Sequence, residues 1–594
     1  MPQSNVVVAP TRINLRRTAS YNSHDRSGHP LSATSARFNF NHLLFSPPPS
    51  PGLPLLAKPP SRRSSQILNA RPSRLLRRLL LLVGLGLLVY LVAPTVGRHA
   101  AMPSVLPYFS HNAQFEMVEQ DTIPDFPTPI VVSDSRRRPR WTVSIPHHLD
   151  FPLSIQDYAG MNSRCREVSA HARDLDHKAP LSNLAHDDSD AYFMDIDEAQ
   201  DSRLLAAGPS STGRFVGLDW DSLPAKPLCS SSLTFVLETS DAGLGGSLMM
   251  MWILYALAQQ QARAFFIDDT RWAYGPYTQI FKAPPSANCR PPPRHHMVPC
   301  PAQARHVVVS SVTANKMLPS LLAKHVRAKG LDGTQADVLQ LAHAGYQALF
   351  KLTPDDQEYV TQRIQELQAK SKPVDAARPA APIIGVHVRR GDVHPIEYQY
   401  RDTYIPAEVF TTRIQHVVDA HYKRDADATP GPAGQRAVTV LASDDPLVHK
   451  EPGFTNALAA QQRIRLASKE AVDNEQANPD PHTLHSFREE AQSWEGGFFA
   501  LMFWNLGADR RSNAPDGPES TQSPPSEQTL RLRSLVARAY VMDLAVLAGA
   551  SDYVVCAVSA TGCRLLGAML GWERGITMGN WINVDGDYGW SGLM

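Results

Sequence analysis

The sequence predicts an α/β protein in which two Rossmann-like domains follow a single transmembrane helix and a stem. Three observations carry that expectation. Apolar runs that read as buried strands alternate with helix-period segments in two blocks, residues 216–375 and 376–594. A charge-free apolar run at 79–96 follows a basic leader. Polar and glycine-rich clusters recur where strands should end, and open α/β sheets bind ligands beyond those ends.

Residues 1–78 read as a disordered basic cytosolic tail, with roughly a dozen Lys and Arg beside Pro/Ser-rich runs such as "FSPPPSPGLP". The tail ends in "RLLRR", and "LLLLVGLGLLVYLVAPTV" (79–96) is then long enough to span a bilayer. Positive charge on the N-terminal flank keeps the tail in the cytosol and sends the remainder across. The expectation is a signal-anchor of type II topology with a lumenal body, and the short span suits an internal membrane such as the Golgi. A cleaved signal peptide is the alternative, but the run lies too deep in the chain.

Lys+Arg 58 against Asp+Glu 57 leaves no basic field, so nucleic acid is not an expected partner and anion recognition has to be local. Six cysteines all follow the span, and an even count in a lumen permits three disulfides. Cys556 and Cys563 are close enough in sequence to clip a strand to the helix after it.

Residues 97–215, rich in Asp, His, Ser, Pro and Arg, read as a largely flexible stem. The first domain, 216–375, opens with a strand (233–237), the turn "DAGLGG", a helix (247–261) and a strand (264–267), which is one βαβ unit. A proline-dense loop, the strand "HVVVSSV" and helices to about 370 complete it. The second, 376–594, begins with the strand "IIGVHV" and continues with a helix (407–423), the strand "AVTVLASDDP", a flexible insertion (507–528), a helix (529–548), the strand "DYVVCAV" and a helix from 559.

Chemistry concentrates at three strand ends. "IIGVHVRRGD" crowds His387, Arg389, Arg390 and Asp392 together, and two adjacent guanidinium groups suggest an anion between them. Strand parity puts His387 and Arg389 on one face, the better phosphate pair, while Arg390 braces the turn through Asp392. Asp444 and Asp445 end a second strand. Ser559 and Thr561 open a helix, where they can cap it or leave its amides to a phosphate. Gly243 and Gly245 lie in a short phosphate-loop candidate that lacks the full dinucleotide fingerprint. D-x-D pairs at Asp174/Asp176, Asp195/Asp197, Asp219/Asp221 and Asp585/Asp587 have metal-ligand spacing but read as solvated acids, so no metal site is expected.

At these residues the sequence resembles the α1,6-fucosyltransferase family, the group of the N-glycan core fucosyltransferase and its rhizobial relatives. The matching blocks are "DAGLGGSL" with "DDTRWAYGPYTQIF", "IIGVHVRRGD", "VTVLASDDP" and "MDLAVLAGASDYVVCAVSATGCR". The resemblance implies a two-domain fold of GT-B type and inverting, metal-independent transfer of fucose from GDP-fucose, with no cofactor, to a glycan or glycoprotein acceptor. It makes Arg389 the β-phosphate clamp and puts His387 and Asp543 near the guanosine. Gly243, Gly245, Ser559 and Thr561 line the diphosphate, Tyr274 meets the ribose, and Asp444 and Asp445 support the donor site. It makes Glu397 the catalytic carboxylate. Cys556 with Cys563 matches a family disulfide, and Cys229 with Cys289 forms a second. The chain departs from the pattern at Val393, where the family has lysine, and at Ala560, where it has serine, and it is expected to lack the C-terminal SH3-like domain of the animal enzymes. A silent relative that only binds nucleotide sugar, or a fucosyltransferase of other linkage, is the alternative.

Overall fold

The computed structural model describes residues 123–175, 190–372 except 210, 220, 239–242 and 330–334, 380–466 except 391–394, 402 and 425–435, then 483–484 and 525–592. All belong to one compact unit spanning 115–594. The expected membrane span at 79–96 lies outside the described residues, among which no helix is long and apolar enough to cross a membrane.

The stretch expected to be a flexible stem contains folded structure. Strands β1 (Thr128–Ser133) and β2 (Pro139–Ser144) form an antiparallel hairpin, and α1 (Ile155–Leu175) packs across it, followed by the short α2 (Ile196–Asp201). Asp134 closes the hairpin turn by accepting the amides of Arg136 and Arg138 at 2.9 and 2.8 Å. Trp141, Tyr158, Met161 and Val168 are buried, and the Cys165–Cys300 disulfide ties α1 to the distant segment before β5. The order comes from partners far along the chain, which sparse local hydrophobicity does not reveal.

Strands β3 (Ser232–Val236), β4 (Ala264–Asp268) and β5 (His306–Ser310) make a parallel sheet in the order β4-β3-β5, with α3 (Leu244–Gln260) crossing from β3 to β4. That helix is apolar nearly all round because it is covered on several sides, by β3, β4 and the helices over 335–349 and 561–570. Helices α4 (Ala314–Lys329), α5 (Gln335–Leu349) and α6 (Pro354–Ser371) follow.

A second parallel sheet is built from β6 (Ile383–Val388), β7 (Val438–Ser443), β8 (Leu458–Ala459), β11 (Tyr553–Cys556) and β12 (Trp581–Asn583), in the order β12-β11-β6-β7-β8. Two-residue strands β9 (Arg465–Leu466) and β10 (Thr483–Leu484) pair separately. Helix α7 (Ala407–Arg424) packs on β11, α8 (Glu527–Ala550) on β6 and β7, and α9 (Thr561–Leu570) on α8 and on α3. Ile384, Val386 and Val388 join one apolar cluster and Ile383 the other, so β6 is covered on both faces, as a central parallel strand must be.

The two blocks therefore share helices. α6, assigned by sequence to the first domain, packs on α8, β6 and β7 of the second. Asp356 of α6, wholly buried, takes Nε and Nη2 of Arg538 at 2.7 and 2.8 Å, with Arg463 at 3.6 Å. Arg538→Met leaves that carboxylate buried without its main partner, so a loss of about 3–5 kcal/mol is expected, read as a lower urea midpoint. An unchanged midpoint would show that the pair adds nothing.

The described cysteines pair as Cys165–Cys300, Cys229–Cys289 and Cys556–Cys563, the last clipping β11 to α9. Burial drives the His295 pKa down to about 3 and that of His306 to about 4, helped by nearby positive charge. Both rings are neutral in the fold but titrate near 6.5 when unfolded, so their contribution is complete above 6.5 and lost as pH falls toward 4. Melting at pH 5 is expected well below that at pH 7, with on the order of 2 kcal/mol lost per ring. Equal melting at both values would contradict this.

Candidate functional site

Buried on both faces, β6 has little freedom in where its C-terminal end delivers its side chains. His387 is 3 % exposed and faces the start of α9: a β-carbon on Gly562 would sit 2.5 Å from its Nε2. Arg389 Nη1 lies 3.5 Å from Asp444 Oδ2, at the outer limit of a hydrogen bond. Asp444, at the end of β7, also accepts the amide of Arg390 at 2.9 Å, which fixes the turn leaving β6. Arg390 braces this turn through Glu451, in a two-pronged ion pair whose Nη2–Oε2 arm is 2.8 Å, with Tyr404 under the guanidinium. The expected brace, Asp392, and Val393 lie outside the described residues.

Two helix starts converge here. A β-carbon on Gly245, in the first turn of α3, would sit 2.7 Å from Thr561 Cγ2 and 3.3 Å from the Tyr540 hydroxyl. Gly562 is equally constrained, 3.1 Å from the same hydroxyl. Glycine at both places lets the two helices approach around Tyr540, so the glycine-rich turn of the first block packs against the start of α9 in the second. Gly243 is the N-cap of α3, and its carbonyl accepts the Ser247 amide and hydroxyl.

Neither Ser559 nor Thr561 caps α9. The cap is Ala560, with extended backbone and no side-chain bond to the first turn. Thr561 Oγ1 instead accepts Arg564 Nη2 at 3.1 Å, and burial holds the Arg564 pKa below its ordinary value.

The remaining acids surround this centre. Asp445 is buried, its amide bonded to Ser443 Oγ at 3.1 Å. Asp543, on α8, accepts the Gln461 amide at 3.2 Å just beyond β8. Tyr274 is 0 % exposed and packs edge-on to Trp272.

Glu397 is half-buried at the opposite edge of the sheet. Its amide and that of Ile396 donate to Asp585 Oδ1 and Oδ2, at 2.8 and 3.0 Å, just beyond β12. Its carboxylate accepts Gln399 Nε2 at 2.6 Å. Two strand spacings, roughly 10 Å, separate the ends of β12 and β6.

Sequence reasoning missed Asp585, Tyr540, Arg564 and Glu451. Asp585 was visible only as half of a D-x-D pair, yet its carboxylate is engaged by two backbone amides. Of the other pairs, Asp195 Oδ1 binds the Ile196 amide and Asp197 pairs with His296 and Arg305. A small cavity lined by Ile145, Leu149, Phe151 and His295 shares no residue with this site.

His387, Arg389 and the first turns of α3 and α9 lie near the carboxyl ends of parallel strands, the side on which open α/β sheets bind ligands.

No family model and no curated protein matches the sequence. Among solved structures the chain is similar to fucosyltransferase NodZ from Bradyrhizobium, at 12 % identity and TM-score 0.25 over 57 % of this chain and 92 % of that one. NodZ α-1,6-fucosyltransferase soaked with GDP-fucose gives 11 % identity and TM-score 0.25 over the same shares. A mutant of Arabidopsis thaliana FUT1 in complex with GDP gives 9 % and 0.26 over 59 % of this chain and 70 % of that one.

Proposed function

We propose that this chain is a type II, Golgi membrane-anchored fucosyltransferase that transfers fucose from GDP-fucose to a GlcNAc-containing glycan in α1,6 linkage, with inversion and without metal. The observation that carries the reading is the packing of His387 against Gly562 and of Gly245 against Thr561 at the end of β6, with Arg389 two residues beyond His387 and beside Asp444. This is the set of positions that the motif resemblance marks for the nucleotide.

In this reading the diphosphate takes the Arg389 guanidinium as its counter-charge. The first-turn amides of α3 and α9 add preorganised donors, strengthened by the low-dielectric surroundings. As the bond from the anomeric carbon to the phosphate oxygen breaks, negative charge grows on the diphosphate and is met by groups already in place. Glu397 takes the proton from the acceptor hydroxyl while that oxygen attacks from the opposite face.

Detergent-solubilised full-length protein, given labelled GDP-fucose and N-glycans ending in GlcNAc, should release GDP and form an α-fucosylated product undiminished in EDTA. Turnover restored only by a divalent cation would overturn the metal-free mechanism. No turnover on any acceptor, with GDP still bound, would favour a silent nucleotide-sugar binder.

A further inference from the structure

We propose that Asp585 is the positioning residue of this active site, holding Glu397 at a fixed place relative to the donor loop. The inference rests on the proposed function for its kinetic consequence but on geometry for its substance.

Asp585 is wholly buried, and each of its carboxylate oxygens accepts a different consecutive amide, Ile396 at 3.0 Å and Glu397 at 2.8 Å. A carboxylate is suited to this because it is a pure acceptor with two well-separated oxygens, and its charge strengthens both bonds. The clamp fixes the backbone at Glu397 itself, where the turn Glu397 to Tyr400 begins with the Tyr400 amide on the Glu397 carbonyl at 3.0 Å.

Asp585 is in turn fixed from the donor side. Asn583 Oδ1 accepts the amides of Val558 and Asp585, both at 2.9 Å. Its Nδ2 donates to the carbonyls of Asp585, Gly586 and Tyr588 at 3.0, 3.1 and 3.0 Å. Val558 leads directly into the Ser559–Thr561 turn, so one network runs from that turn, through Asn583 and Asp585, to Glu397. Gly586, at φ +64°, adapts the turn, and a β-carbon there would come within 3.8 Å of Glu397 Cβ. A base and a leaving group that act on opposite faces of one anomeric carbon have to keep their separation, since a misplacement near 1 Å costs about 100-fold in rate.

Asp585→Asn is the test, because the amide keeps the shape but turns a donor toward one of the two N–H groups. The expected result is a fall in kcat of about 100-fold with the GDP dissociation constant within about twofold of wild type, together with faster amide hydrogen exchange across 395–400 and unchanged exchange across 558–566. Folded Asp585→Asn with wild-type kcat would overturn the proposal, as would unchanged exchange at 395–400. A parallel loss of GDP affinity and kcat would also overturn it, since that is the mark of general damage. If Asp585→Asn does not fold, Asp585→Glu keeps the charge and displaces the clamp by one methylene; a lowered kcat with intact GDP binding supports the proposal, and an unchanged kcat rejects it. Wild-type protein that never turns over GDP-fucose would sink the proposed function alone, since the exchange contrast still decides whether Asp585 holds Glu397.

Discussion

Arg389→Ala is expected to lower fucose transfer by about 1,000-fold, equivalent to about 4 kcal/mol of transition-state stabilisation. The cause is the absence of a substitute. Arg390, its neighbour, is committed to Glu451 through a two-pronged ion pair. His387 is a single imidazole pressed against Gly562. Helix N-termini supply only partial charge. Removing Arg389 also leaves Asp444 facing the departing diphosphate with less opposing charge, so loss of attraction is compounded by repulsion. Arg389→Lys should recover part of the rate, since it restores the charge without the planar fork. Circular dichroism and melting separate this from misfolding, and a folded Arg389→Ala that retains more than a tenth of wild-type kcat/KM would be incompatible with the clamp.

Glu397→Gln is expected to reduce kcat by about 100- to 10,000-fold, the range for losing a positioned general base. Gln keeps the shape, and its Oε1 can still accept from Gln399 Nε2, as the carboxylate does at 2.6 Å. The Asp585 clamp binds backbone amides and is untouched. GDP affinity should therefore be unchanged, because Glu397 acts on the acceptor at the far edge of the sheet. The two substitutions thus separate: Arg389→Ala lowers donor binding and rate together, Glu397→Gln lowers rate alone. Measuring kcat and GDP affinity for both variants is decisive, and a Glu397→Gln enzyme with normal kcat would remove Glu397 from the chemistry.

Much of the scaffold was legible because it is written in local periodicity. β6 reads as a continuous apolar run, and its parity correctly separated His387 from Arg390. α3 and α8 are long and strongly apolar, and their observed ends differ from the expected ones by only a few residues. Within the stretch expected to be a stem, residues 123–175 and 190–209 take their order from non-local partners. Even so, Tyr158, Met161, Cys165, Val168 and Ala172 fall at alternating spacings of three and four, a helical stripe that was available in the sequence. The partners of that stripe, the hairpin and Cys300, lie elsewhere in the chain.

The site was legible in its charges and opaque in its wiring. Arg389, Asp444 and the glycine turns announced themselves by crowding and by position at strand ends. The Glu451 brace on Arg390 spans 61 residues, and the Asp585 clamp on Glu397 spans 188, with no motif linking either pair. The ribose contact of Tyr274 was implied by resemblance alone, and its ring packs on Trp272. Capping by Ser559 and Thr561 was a sound propensity argument, but the close approach of Gly245 to Thr561 sets the geometry of that turn instead.

Titration calorimetry of the full-length protein with GDP in EDTA, repeated with Arg389→Ala, probes the anion cradle at the end of β6 without needing any acceptor. Wild type should bind GDP in the micromolar range or tighter, and Arg389→Ala should weaken it by about 50-fold or more, consistent with the loss of a charge-assisted phosphate contact. Equal GDP affinity in the two proteins, or binding that vanishes when EDTA is added, would place the nucleotide elsewhere and contradict the cradle.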